Sequence, residues 1–154
     1  MSAVAHLADL AGDWAGSSLL WLRPDEPVRE SETTACVGMV ARGQFLTIHY
    51  TWAEEGEPQD GLLLFGAGSK PDAVSAVWVD SWHMGSKFMV CEGAARADGT
   101  LSATGSYEAP PGPDWGWRIE LEPVHPDSFR IIMFNILPDG TEARAVEASY
   151  ARRP

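Results

Sequence analysis

The chain is short of positive charge, of cysteine and of long apolar runs, and each shortage removes a class of function. Lysine and arginine together number 11 against 22 aspartates and glutamates, so the formal net charge is −11 and the pI about 4.6. A surface of that sign repels nucleic-acid phosphates and an anionic bilayer. The basic residues are scattered, and the one adjacent pair, Arg152-Arg153, sits at the tail. Neither nucleic acid nor a membrane is expected as a partner. No stretch approaches the roughly 20 apolar residues of a membrane helix. The opening Met1-Ser2-Ala3-Val4-Ala5-His6 has no basic segment followed by an apolar one, so it does not have the form of a signal peptide and reads as the start of a cytoplasmic protein. Cys36 and Cys91 make neither a CxxC motif nor a zinc framework. They are expected to be unpaired thiols that pack as small buried hydrophobes.

The usual catalytic signatures are missing too. There is no Gly-x-Ser-x-Gly elbow, no HExxH, no phosphate-binding glycine loop and no dinucleotide fingerprint. The four histidines lie at no metal-binding spacing. No cofactor is expected on this reading.

What is present suits a single globular domain over residues 1–154. The length is enough to bury a core, and 45% of residues are hydrophobic, among them seven tryptophans. Large aromatics of that number serve cores, pockets and interfaces. Val4, Leu7, Leu10 and Ala11 give a short N-terminal helix one apolar face, and Gly12 ends it. The period then changes to two. Strands are expected over Trp14–Leu22, Glu32–Ala41, Gln44–Trp52, Gly61–Gly66 and Ala73–Ser81, and again over Lys87–Ala95, Thr100–Tyr107, Trp115–Glu122, Ser128–Ile136 and Thr141–Tyr150. Three Asp-Gly pairs (60-61, 98-99 and 139-140) lie between β-rich runs, and the last two suit tight hairpin turns. Strands joined by short turns without intervening helices argue for an all-β, up-and-down antiparallel meander of about ten strands. Closing it into a barrel removes its edges and leaves room for one small ligand. An open two-layer sandwich is the alternative that periodicity leaves standing.

Both chain ends resemble lipocalin-like (calycin) barrels. Gly12-Asp13-Trp14 has the Gly-x-Trp form that opens the first strand of that fold, and Arg152 follows the last strand. The resemblance implies an arginine packed over that tryptophan. Nearly the whole chain is similar to a bacterial family of unknown function (domain-of-unknown-function family 1579) with a calycin-like barrel. The similarity is carried by Arg42-Gly43-Gln44-Phe45-Leu46, Trp78-Val79-Asp80-Ser81, Gly93 and Gly105 about the Asp98-Gly99 hairpin, and Glu147-Ala148-Ser149-Tyr150-Ala151-Arg152. It implies the fold and brings no catalytic residues. A more distant similarity is to barrels that hold haem through a histidine near the chain end. Here the last histidine, His125, lies in the turn-like His125-Pro126-Asp127, so the C-terminal strands supply no axial ligand of that type.

Alternation sorts the candidate site residues between two faces. Leu46, Ile48, Tyr50 and Trp52 share the more apolar face of their strand, which leaves His49 toward solvent. Trp78, Asp80 and Trp82 share one face of the next candidate segment, and Val77, Val79, Ser81 and His83 the other. Facing inward, Asp80 would orient a ligand between tryptophans. It would then need a partner, for which Arg118 is the candidate. The plainer reading is an aspartate at a strand end that binds turn amides. The proline-stiffened loop 109–117 ends in Trp115 and Trp117 and suits the mouth of a barrel, either as a binding element or as simple end packing. Asn135 falls among Phe129, Ile131 and Met133, one polar group among apolar ones.

The expected ligand-binding set is therefore Trp52, Trp78, Asp80, Trp82, His83, Trp115, Trp117, Arg118 and Asn135. The function it implies is a barrel for a small, largely apolar or aromatic molecule. Two other classes compete. One is an enzyme using a desolvated His/Asp pair drawn from His49, Asp80 and His83. The other is a homodimeric module with exposed aromatics at its interface.

Overall fold

The computed structural model describes residues 2–154. A six-residue 3₁₀ helix, Ala5–Leu10, leads into ten strands. These are β1 (Gly12–Leu20), β2 (Arg29–Val40), β3 (Phe45–Glu54), β4 (Glu57–Ala67), β5 (Ala73–Asp80), β6 (Met89–Ala95), β7 (Leu101–Tyr107), β8 (Trp115–His125), β9 (Ser128–Ile136) and β10 (Glu142–Arg152). Each pairs antiparallel with its neighbours in sequence, and β1 meets β10 from Trp14↔Arg152 to Leu20↔Val146. The result is the expected closed up-and-down barrel, not a sandwich. No helix among the described residues is long and apolar enough to cross a membrane.

Period-two patterning decides what the barrel holds. On β5 the buried residues are Val74, Ala76, Trp78 and Asp80; on β3 they are Leu46, Ile48, Tyr50, Trp52 and Glu54. Cys91 is buried as expected, but Cys36 is exposed. Its neighbours Ala35 and Val37 take the inward positions of β2, which turns the thiol outward.

The Asp98-Gly99 and Asp139-Gly140 pairs make hairpin turns, with glycine φ of 90° and 91° and the aspartates accepting from the backbone N–H groups of Thr100 and Thr141 at 2.9 and 2.8 Å. Asp60-Gly61 does not turn. It lies inside β4, and the β3–β4 hairpin turns instead at Glu55-Gly56, with φ of 50° and 82°. Gly61 serves a different need, because a Cβ there would stand 2.3 Å from the Tyr50 hydroxyl. The missing side chain lets Tyr50 lie beneath β4.

An up-and-down barrel sorts its connections to two ends. The 3₁₀ helix seals one of them with buried Leu7 and Leu10. Trp14 donates its indole N–H to the Leu10 carbonyl at 2.8 Å. The Arg152 guanidinium lies 4.3 Å over the Trp14 ring and donates to the carbonyls of Asp9 and Ala11 at 2.8 and 3.0 Å. This is the tryptophan–arginine packing implied by the resemblance. The opposite end carries loop 21–28, the Glu55-Gly56 turn, loop 81–88, loop 108–114 and the 137–141 turn.

Candidate functional site

The open end is organised by Asp80, the last residue of β5. The strand ends there, and the carboxylate, 2% exposed, accepts four hydrogen bonds. Oδ1 takes the backbone N–H groups of Trp82 and His83, each at 2.9 Å. Oδ2 takes the Tyr50 hydroxyl at 2.6 Å and the Trp52 indole N–H at 3.1 Å. Asp80 thus faces inward and also binds turn amides. These donors offset the cost of burying the charge. Tyr50 in turn accepts from the Trp78 indole at 2.8 Å. Burial, followed by the Asp80 charge and hydrogen bond, pushes the Tyr50 hydroxyl well above its ordinary pKa.

Arg118 is not the partner of Asp80. Trp117 and Ile119 take the inward positions of β8, so Arg118 points out. There it donates to Glu120 at 2.9 Å, pairs with Glu142 and lies 4.3 Å over the Phe134 ring. His49 is also outside, 3.0 Å from Asp60. It therefore does not join Asp80 and His83.

Strand alternation assigns His83 to the face of Val77 and Val79. The assignment fails because alternation stops at Asp80, and the turn brings His83 back over the barrel mouth. Its ring centroid lies 4.7 to 5.5 Å from those of Trp52, Trp78, Trp82 and Trp117. Burial lowers the His83 pKa against the opposing pull of the Asp80 and Glu54 charges. The imidazole makes no hydrogen bond to the described residues; only the backbone N–H of His83 does.

His83 and Leu20 border two spaces. Below lies a chamber of about 20 Å³, whose polar walls are Ser18, Thr33, Tyr50, Asp80 and Tyr150. It matches roughly one water. The Tyr150 hydroxyl meets the Thr33 hydroxyl at 2.9 Å, and burial pushes its pKa up to about 12. Above lies an open cleft of about 590 Å³, lined by Trp21, Leu22, Trp78, Trp82, Met84, Phe88, Met89, Tyr107 and Trp117 among its aromatic and apolar residues. Trp78 and Trp117 form one wall, stacked at 5.2 Å and 8°. The Trp117 indole N–H is buried and has no partner.

Of the expected set, Trp78, Trp82, His83, Trp117 and Asn135 line the cleft, and Trp52 and Asp80 line the chamber. Trp115 and Arg118 line neither. Trp115 is the first residue of β8, at the rim, and its cross-strand partner Tyr107 faces the cleft at that level. Sequence reasoning missed Tyr50, although it stands on the same face as Trp52. It also missed Tyr107 and Met84, together with Trp21, Lys87 and Phe88, which fall in the expected strands Trp14–Leu22 and Lys87–Ala95 but lie in loops because β1 ends at Leu20 and β6 begins at Met89. Among the described residues no cluster of three or more His, Cys, Asp or Glu is placed to hold a metal ion.

A closed ten-stranded antiparallel barrel with a short N-terminal 3₁₀ helix and a Gly-x-Trp/Arg seal is a barrel of the lipocalin-like class. Within that class the chain belongs to the family described as "Protein of unknown function (DUF1579)", which matches residues 2–152. No curated protein matches it. Two solved structures share the fold. Rv2717c from M. tuberculosis does so at a TM-score of 0.67 and 16% identity, over 100% of this chain and 99% of that one. The S-type phycobiliprotein lyase CPES from Guillardia theta does so at 0.67 and 12%, over 100% and 94%.

Proposed function

We propose that the barrel binds a small, largely apolar or aromatic molecule in its open-end cleft. The volume of about 590 Å³ lies within the usual range for small-molecule pockets. Most of the lining residues are aromatic or apolar, while polar and apolar groups share the exposed lining about equally, so the site offers both a packing surface and groups that can orient a ligand. The observation that carries the reading is the cleft itself, walled by the stacked Trp78 and Trp117 rings and bordered by Trp82, Phe88 and Tyr107. The likeness to a phycobiliprotein lyase supports the barrel architecture; the ligand reading rests on the cleft.

The acid–base alternative has less support. Asp80 is occupied by four donors, and it meets His83 through the backbone rather than the imidazole. Self-association has one observation in its favour. Leu62, Phe88 and Val90 are exposed, with Val90 beside Val77 and Leu62 beside Val79 on the outer face of β4–β6.

Native mass spectrometry of the purified protein tests both readings. The expected result is a small mass that leaves on denaturation and is lost from a Trp82→Ala variant. An empty spectrum, together with no calorimetric binding of aromatic probes, would refute the binding reading. A monomer at micromolar concentration would refute the second.

A further inference from the structure

The polar groups on the cleft wall are unevenly matched. The Trp117 indole N–H is buried behind the wall and has no acceptor, so the donors that face the space come from other residues. Asn135 gives its carbonyl oxygen to the Tyr107 hydroxyl at 2.6 Å, which turns its two amide N–H donors away from that bond. Lys87, one of two lysines in the chain, stands on the same wall. It has no carboxylate within ion-pair distance among the described residues, whereas Arg29, Arg96, Arg118, Arg130 and Arg144 all engage carboxylates. On the acceptor side, only Glu108 of the chain's 22 acids lines the cleft, and it is exposed. The buried acids nearby are outside the wall: Asp80 is engaged by its four donors, and Glu54 meets Arg29 through Oε1 while its Oε2 is buried without a partner. An acidic protein has thus left one exposed acid in its cleft, Glu108, and placed there a lysine without an ion-pair partner and an amide with free donors.

Donors without acceptors favour a ligand that brings acceptors, and an ionised one forms the stronger hydrogen bonds. Resting on the binding reading above, we propose that the cleft selects a flat aromatic molecule carrying a carboxylate or an equivalent anionic oxygen group. The ring packs on the wall formed by Trp78, Trp117 and Trp82, and the anion is held by Lys87 and the Asn135 amide. The net charge of −11 opposes an anion from afar. At 0.15 M salt that repulsion is screened beyond about 8 Å, while donors in contact are not.

The test is isothermal titration calorimetry at 0.15 M salt with two probes of the same ring, 1-naphthylacetate and its uncharged amide, 1-naphthylacetamide. The carboxylate is expected to bind about tenfold tighter, the size of a typical charge-assisted contact. Lys87→Gln, at an exposed position that does not threaten the fold, is expected to narrow that preference to about threefold. Asn135→Ala is expected to narrow it as well. Equal binding of the two probes, or a preference that survives both substitutions, overturns anion selection and leaves the aromatic cleft standing. No heat from either probe overturns the inference together with the reading it rests on.

Discussion

At the helix end of the barrel, the Trp14 indole N–H is bonded to Leu10 at 2.8 Å, and its ring is covered by Arg152 at 4.3 Å and by the edge of Phe129 at 4.8 Å. At the other end, the Trp117 indole N–H has no partner, the His83 imidazole makes no bond, and about 590 Å³ of space opens between the aromatic walls. A buried tryptophan stands at each end, Trp14 at one and Trp117 at the other. What separates a seal from a site is the state of the polar edges. Where every donor has an acceptor and a cation covers the ring, the aromatic cluster is complete. Where donors stand unmatched on a concave wall, the cluster is complementary to something else. Asp80 joins the two regimes: it is satisfied itself, and it fixes Trp52, Tyr50 and the turn that presents His83.

The largest expected difference between the ends is in stability. Trp14→Ala removes a fully buried side chain and should cost about 3–5 kcal/mol by urea denaturation. Trp82→Ala, at a residue 40% exposed, should cost about 1 kcal/mol or less. Equal costs would erase the distinction between seal and site. Asp80→Ala should cost about 3 kcal/mol, because it leaves buried donors unmatched, and it should also weaken probe binding by releasing the His83 turn. If Asp80→Ala leaves both stability and probe affinity unchanged, Asp80 does not organise the open end.

The two directions of pH should act at different levels of the barrel. Tyr150 is raised to about 12 in the folded protein from an ordinary 10.0. Its stabilisation is therefore whole below pH 10 and is lost as pH rises through about 12, a change of about 2–3 kcal/mol. Tyr150→Phe should flatten that alkaline slope. His83 is lowered from 6.5, so its contribution is present above that pH and is lost as pH falls through the lower folded value. Acid should then loosen the cleft loop before the floor, which amide hydrogen exchange can follow residue by residue. The smallest effect sharpens the comparison most. Trp14→Phe breaks a made bond and should cost about 1 kcal/mol more than Trp117→Phe, which removes an unmatched donor. The reverse order, measured by chemical denaturation, would place the unsatisfied edge at the wrong end.

The barrel was legible because period two, short turns and the Asp98-Gly99 and Asp139-Gly140 hairpins all report local backbone geometry. The β3 face was legible for the same reason, since Leu46, Ile48, Tyr50 and Trp52 alternate within one unbroken strand. The failures fall where that periodicity ends or where a neighbour overrides a local signal. Asp60-Gly61 looks like a turn, but Gly61 is a glycine because Tyr50, from another strand, occupies its side-chain space. His83 sits three residues past the end of alternation at Asp80, so its apparent face has no meaning. Arg118 was matched to Asp80 by charge alone, while one-residue register on β8 sends it outward. Alternation marks the faces of Tyr50 and Tyr107, but the bond from Tyr50 to Asp80 and the reach of Lys87 from loop 81–88 depend on tertiary placement that no local pattern encodes.

The central claim is that the open end, and not the sealed one, receives a ligand. The most direct measurement is a two-dimensional ¹H–¹⁵N spectrum of the seven tryptophan indoles, recorded while 1-naphthylacetate is added. Ligand entry at the open end shifts the Trp117 and Trp82 resonances progressively to saturation, while the Trp14 resonance stays fixed. A shift of Trp14 with Trp117 unmoved, or no movement of any indole at millimolar probe, would contradict that claim.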